Sequence, residues 1–208
     1  MREVLKFGLL LGLVCALSAG TLAAVFSKVD PLIKENERLE AIAKRKKVLP
    51  QAETFEAVEL NGRTAHIGLD EGRNPLGTAL AEAPRGYAGP IKMTIGIVGA
   101  GDETRLTGVA ISKLDQSETP GLGVKITLPS FLDMFKGLSL DEVALSADGG
   151  KIDAITAATI SSRAVVNGVR DGMTWYARNF PEGPAAPTGE VEDFEDPGAQ
   201  APEKGGTE

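Results

Sequence analysis

Residues 7–26 form a run of twenty residues without a formal charge, rich in leucine, alanine and glycine. About twenty apolar residues span a bilayer core, so the run predicts a transmembrane helix. A cleaved signal peptide is the rival reading, because Arg2 and Lys6 precede the run and small residues cluster at Ser18, Ala19, Gly20, Ala23 and Ala24. A signal core usually holds roughly 7–15 residues, and the extra length here favours an uncleaved anchor. Orientation is less constrained. Lys28, Lys34, Arg38 and the basic cluster at residues 44–47 outnumber Arg2 and Lys6, and a positive-inside count puts the following domain in the cytoplasm. That cluster begins at the outer limit of the relevant window, so charge alone leaves the side open.

The net charge of −7 belongs to the end of the chain. Residues 181–208 hold eight acids and one base, while the first 180 residues balance 21 bases against 21 acids. No basic face advertises nucleic-acid binding. One cysteine, Cys15, lies inside the apolar run, which excludes an internal disulfide and cysteine-ligated metal clusters. The single histidine, His66, excludes multi-histidine metal sites and reads as a surface or half-buried strand residue. With nucleophile and base chemistry so poorly supplied, any redox activity needs a borrowed cofactor.

Five stretches follow along the chain: a tail over residues 1–6, the membrane helix over 7–26, a juxtamembrane connection over 27–53, a globular domain over 54–180 and an acidic tail over 181–208. Asp30-Pro31 reads as the cap and first position of a connecting helix that ends near Leu49-Pro50. Its basic residues 44–47 solvate the end or touch lipid head groups. Asn61-Gly62 between residues 55–60 and 64–69 is a hairpin signal. Further strands are expected at 77–81, 91–98 and 106–114, with a hairpin loop over 99–104. Short helical pieces are expected at 129–136 and 140–145, and a long helix from Ser161 to about Arg178 with Val165, Val166, Val169, Met173 and Tyr176 on one stripe. Strands first and helices later make an α+β domain. The tail, with five prolines, five glycines and eight acids, reads as disordered.

Two stretches could carry chemistry. Residues 153–162, Asp-Ala-Ile-Thr-Ala-Ala-Thr-Ile-Ser-Ser, place small residues and hydroxyls where the long helix begins. Free backbone N–H groups at a helix start favour an anion, so a phosphate at Thr159 would be well placed. Taken alone, the stretch is a helix cap, with Thr156, Ser161 and Ser162 all reasonable capping residues. Residues 116–123, Gln-Ser-Glu-Thr-Pro-Gly-Leu-Gly, contain a Pro120-Gly121 turn signal. Gly121 and Gly123 allow close backbone approach to a flat ligand, and Glu118 and Thr119 offer hydrogen bonds to a heteroaromatic ring. Lys125 could place positive charge beside a reduced, anionic ring, or be a solvated lysine.

With residues 85–91, Arg-Gly-Tyr-Ala-Gly-Pro-Ile, these stretches resemble in order and spacing the FMN-binding domain shared by two families. These are the G subunit of the Rnf electron-transport complex and the C subunit of the sodium-pumping NADH:quinone reductase. The compact length looks more like the Rnf G subunit. The resemblance implies a single N-terminal transmembrane helix followed by a mixed FMN-binding domain with a mainly antiparallel sheet and a C-terminal helix. It implies one FMN per chain, held by Thr159 as a phosphoester within the Asp-x-x-Ser/Thr-x-Ala-Thr flavinylation motif. An external flavin transferase would supply FMN from FAD, so Thr159 is an anchoring point and no residue is catalytic in turnover. Asp153 and Thr156 would be recognition or positioning residues, with Ala158 and Ser161 beside the attachment point. Glu118, Thr119, Gly121, Leu122, Gly123 and Lys125 would lie against the isoalloxazine. Where many members have glycine before the Ala-Thr pair, this chain has Ala157.

The resemblance further implies a component of a redox-driven ion translocase in the bacterial inner membrane, with the FMN domain on the extracytoplasmic side. The flavin would pass electrons through a multi-subunit complex that oxidises ferredoxin or reduces NAD, with other membrane and peripheral subunits as partners. A C-type subunit of the quinone reductase is the alternative within that chemistry. A membrane-tethered binding or assembly module without flavin is the alternative outside it.

Overall fold

A computed structural model describes residues 2–111, 118, 121–185 and 191–192. Two compact units divide the chain, Met1–Ala41 and Ile42–Glu208.

The first unit is helical. Helix α1, Arg2–Val48, is long and apolar enough to cross a membrane, and its leucines, valines and phenylalanines from Val4 to Leu32 are exposed. No separate connecting helix begins at Asp30-Pro31, because α1 runs unbroken through Pro31. An interior proline removes one hydrogen bond and costs roughly 3 kcal/mol. Asp30 and Lys34 form an ion pair across the position at 2.8 Å, and the helix formers Leu32, Lys34 and Glu35 follow it.

The second unit is an antiparallel meander with one long helix laid on it. Strands β1 (Thr54–Leu60), β2 (Arg63–Leu69), β3 (Pro75–Glu82), β4 (Met93–Val98) and β5 (Arg105–Ile111) pair in chain order, and β6 (Val191–Glu192) joins the outer edge of β1. Asn61 and Gly62 both have positive φ, at 49° and 74°, which is the turn geometry whose twist matches a two-residue hairpin. Helix α2 (Pro129–Leu132) and a 3-10 turn over Asp133–Phe135 fill the span where one short helix was expected. Helix α3, Thr159–Asn179, closes the unit.

Residues 140–145 are not helical. Their chain turns, with Ala144 N–H donating to the Glu142 carbonyl at 2.9 Å and Leu145 bridging to Ile152. The Glu142 side chain accepts from the Ser139 N–H at 3.1 Å and pairs with Lys151 at 2.5 Å. These contacts hold its carboxyl down at about 2, with the Lys151 hydrogen bond the leading cause. Six residues cannot nucleate a helix against such local competition.

Side chains alternate across the strands, so the sheet has two packed faces. On one face Leu80, Met93, Ile95 and Ile97 meet Val165, Val169, Met173 and Tyr176 of α3. On the other, Phe55, Ala79 and Ala110 meet Val48, Leu49 and Ala52, just where α1 ends. Gly68, Gly77 and Gly96 on three successive strands open a shallow trough there. A Cβ at Gly68 would stand 2.8 Å from that of Ala52, and one at Gly96 would stand 2.8 Å from Val48 Cβ. The Thr107 hydroxyl donates to the Val48 carbonyl and closes the trough.

Candidate cofactor site

Helix α3 begins without a side-chain cap. Ala158, at the capping position, accepts from Ser162 through both its N–H at 2.9 Å and its hydroxyl at 3.0 Å. Ser162 Oγ also accepts from the Ile155 N–H at 3.0 Å, tying down the turn before the helix. The expected capping roles therefore resolve differently: Ser162 braces the approach, Ser161 points elsewhere and Thr156 is exposed. Among the described residues, the N–H groups of Thr159, Ile160 and Ser161 have no partner, and neither has the Thr159 hydroxyl. Uncompensated N–H groups at a helix start attract an anion.

This helix start opens on a cleft of about 590 Å³ lined by Ala157, Ala158, Thr159, Ile160 and Ser161 on one side and Tyr87, Glu118, Leu122 and Gly123 on the other. Its rim is apolar and bare, with Tyr87 71%, Ile160 59% and Leu122 44% exposed. Large exposed apolar groups gathered round one cleft mark a binding site for a flat, partly apolar ligand.

Glu118 joins the two walls. It is only 5% exposed. Its Oε1 accepts from the N–H groups of Tyr87 at 2.8 Å and Ala88 at 3.3 Å, and its Oε2 accepts from the Ser161 hydroxyl at 2.9 Å. Hydrogen bonds to a charged group contribute about 1.5–3 kcal/mol each, so this side chain clasps the Tyr87 loop to the start of α3. Two glycines leave room for it. A Cβ at Gly86 would run into the Glu118 carboxylate, and one at Gly123 would stand 2.9 Å from Glu118 Cβ.

The structure thus brings Thr159, Ala158, Ser161, Glu118, Leu122 and Gly123 to one cleft. Gly123 makes its close approach to Glu118, not to the open cleft, and the Glu118 oxygens are already engaged by the chain. Gly121 has φ 80° and serves the turn, with open space beside it. Lys125 is exposed in the 3-10 turn Gly123–Thr127 and does not line the cleft. Asp153 and Thr156 are also outside the lining, and Thr156 is exposed. Thr119 lies outside the described residues. Sequence reasoning assigned no role to Tyr87, Gly86 or Ile160, although the 85–91 stretch was a visible signal for the first two. Ala157 has φ 65°, the left-handed region that favours glycine, which is the physical reason a glycine suits that position.

The cleft fits FMN by its own chemistry: free N–H groups and a hydroxyl at the phosphate end, an apolar rim for the ring, and a volume in the range of ligand pockets. Comparison with known proteins places it in that class: residues 86–174, which include every cleft-lining residue, match the FMN-binding domain. The G subunit of the ion-translocating oxidoreductase complex of Methanosarcina acetivorans is 31% identical over 184 residues, covering 85% of this chain and 96% of its own. Its counterpart from Stutzerimonas stutzeri is 34% identical over 194 residues, covering 85% and 83%. The chain belongs to the family of ion-translocating oxidoreductase complex G subunits. Among solved structures, NqrC of Shewanella oneidensis overlays 64% of this chain and 68% of its own at 20% identity, with a TM-score of 0.43.

Proposed function

We propose that this chain is a membrane-anchored electron-carrier subunit of a redox-driven ion translocase, with one FMN held covalently through Thr159. The observation that carries the reading is the Thr159 hydroxyl, unpartnered among the described residues, at an uncapped helix start facing the cleft of an FMN-binding domain. The relatives are named as subunits of an ion-translocating oxidoreductase complex, which supports other subunits as partners. Those partners would pass electrons between ferredoxin and NAD through this flavin, which supplies reversible electron storage when bound.

The carboxylate in the cleft, Glu118, is engaged by Tyr87, Ala88 and Ser161, and a separate flavin transferase would attach the group, as the family resemblance implies. Thr159 Oγ would accept the FMN phosphoryl group of FAD, with AMP as the leaving group and the hydroxyl proton passing to the transferase or to solvent. The N–H groups of Thr159, Ile160 and Ser161 would hold the phosphate. Asp153 and Thr156, in the turn that leads into α3, are recognition points for the transferase. Helix α1 anchors the protein in the bacterial inner membrane, and the FMN domain lies on the extracytoplasmic side.

Co-expression with a flavin transferase tests this directly. The wild type should give a fluorescent band after denaturing electrophoresis and a mass increase equal to one FMN phosphoester. Thr159→Ala should lose both while keeping its circular dichroism. A dark wild type, or fluorescence that survives the substitution, overturns the assignment.

A further inference from the structure

We propose that Glu118, besides clasping the cleft, holds the flavin of this protein at a low reduction potential by presenting a buried negative charge that no cation offsets among the described residues. The inference rests on the proposed attachment of FMN at Thr159. Glu118 lines the cleft and is 5% exposed, so water screens it little. Its three partners, Tyr87 N–H, Ala88 N–H and Ser161 O–H, are all neutral donors. Among the described residues it has no ion pair, and no lysine, arginine or histidine lines the cleft. Arg85, Lys125 and Arg163, each two residues from a lining residue, are exposed and outside the lining, and Arg163 pairs with Asp148.

The electrostatics of the site are therefore the reverse of those a cation beside the ring would create. Reduction adds negative charge to the ring, and a neighbouring buried carboxylate opposes that addition. The first turn of α3, where Ser161 bonds Glu118, offsets part of this charge, but its N–H groups would also face a phosphate that brings its own negative charge. What remains is a net bias toward the oxidised ring, which makes the reduced ring a better donor to the next carrier.

The test uses the full-length, flavinylated protein in detergent, equilibrated with mediator dyes and dithionite at a fixed potential where about one-tenth of the wild-type flavin is reduced. Glu118→Gln keeps the shape: its amide oxygen accepts from Tyr87 and Ala88, and its amide nitrogen donates to Ser161 Oγ. Absorbance should show the reduced-to-oxidised ratio rising about tenfold, the scale of removing one poorly screened charge from the cleft. Ser161→Ala retains the charge and removes one hydrogen bond, so its ratio should stay at or below that of the wild type. A loaded Glu118→Gln protein with the wild-type ratio overturns the proposal, and so does an equal rise in Ser161→Ala, which would make packing the cause. If Glu118→Gln fails to fold by circular dichroism, Leu122→Lys decides. It brings a cation to an exposed lining position and should raise the ratio; an unchanged ratio overturns the proposal. Fluorescence on denaturing gels reports attachment separately, so a dark wild type breaks the Thr159 reading instead.

Discussion

The two ends of α3 are built to opposite specifications. At its C-terminal end Tyr176 is fully buried, donates its hydroxyl to the Gly99 carbonyl at 2.7 Å, and stacks with Phe180 at a centroid distance of 5.3 Å. Trp175 meets Phe180 edge-on at 6.0 Å, and Phe180 N–H returns to the Tyr176 carbonyl at 2.8 Å. Burial pushes the Tyr176 hydroxyl up to about 12, so it stays a donor across ordinary pH. At the N-terminal end the cap is missing, three N–H groups are free among the described residues, Ala157 is held in the left-handed region and Ile160 is exposed. One helix thus concentrates buried aromatic packing at one end, where of the buried side-chain polar atoms only the Trp175 indole N–H lacks a partner among the described residues, and leaves the backbone of the other end open. Local rules broken at one end of an otherwise well-made element mark the part that serves a ligand.

The sharpest way to break this contrast is to compare substitutions at the two ends. Tyr176→Ala removes a fully buried ring and should cost about 3–5 kcal/mol in urea unfolding. Thr159→Ala, exposed and unpartnered, should stay within about 0.5 kcal/mol. Equal losses at both ends would dissolve the distinction. Gly123→Ala comes next. Its new Cβ forces the Glu118 side chain aside, so unfolding should show a loss of about 1–3 kcal/mol together with a weaker flavin band on the gel. A stability loss without any change in loading would separate the clasp from the cofactor. Smallest is Ala157→Gly, which relieves the left-handed strain but adds chain entropy to the unfolded state. The balance should be a gain of about 0.5 kcal/mol, seen as a slightly higher melting temperature. A lower melting temperature would mean that the Ala157 methyl packs against something that matters more than its dihedral angles.

Much of this architecture was legible in the chain because its signals are local. Asn61-Gly62 specifies a turn by dihedral preference alone, and the stripe of Val165, Val169 and Met173 repeats with the helical period. Residues 140–145 misled because a six-residue pattern carries no record of the Lys151 and Ser139 contacts that hold Glu142. Pro31 misled because a favourable first-turn proline and a tolerated interior one read alike. In the candidate site, Thr159 and the glycine-rich loop could be placed from their own neighbourhoods. The position of Lys125 away from the cleft could not, since it depends on how the 3-10 turn Gly123–Thr127 rotates. Nor could the bond between Glu118 and Ser161, which joins residues 43 apart in the chain.

That bond has an evolutionary consequence. Glu118 sits in a socket made by Gly86, Gly123 and Ser161, and all four positions constrain one another. A shorter acid would leave Ser161 and the Tyr87 loop without their shared acceptor, and a side chain at either glycine would evict the acid. Divergent lineages should therefore inherit these four positions as a block, changing all of them or none.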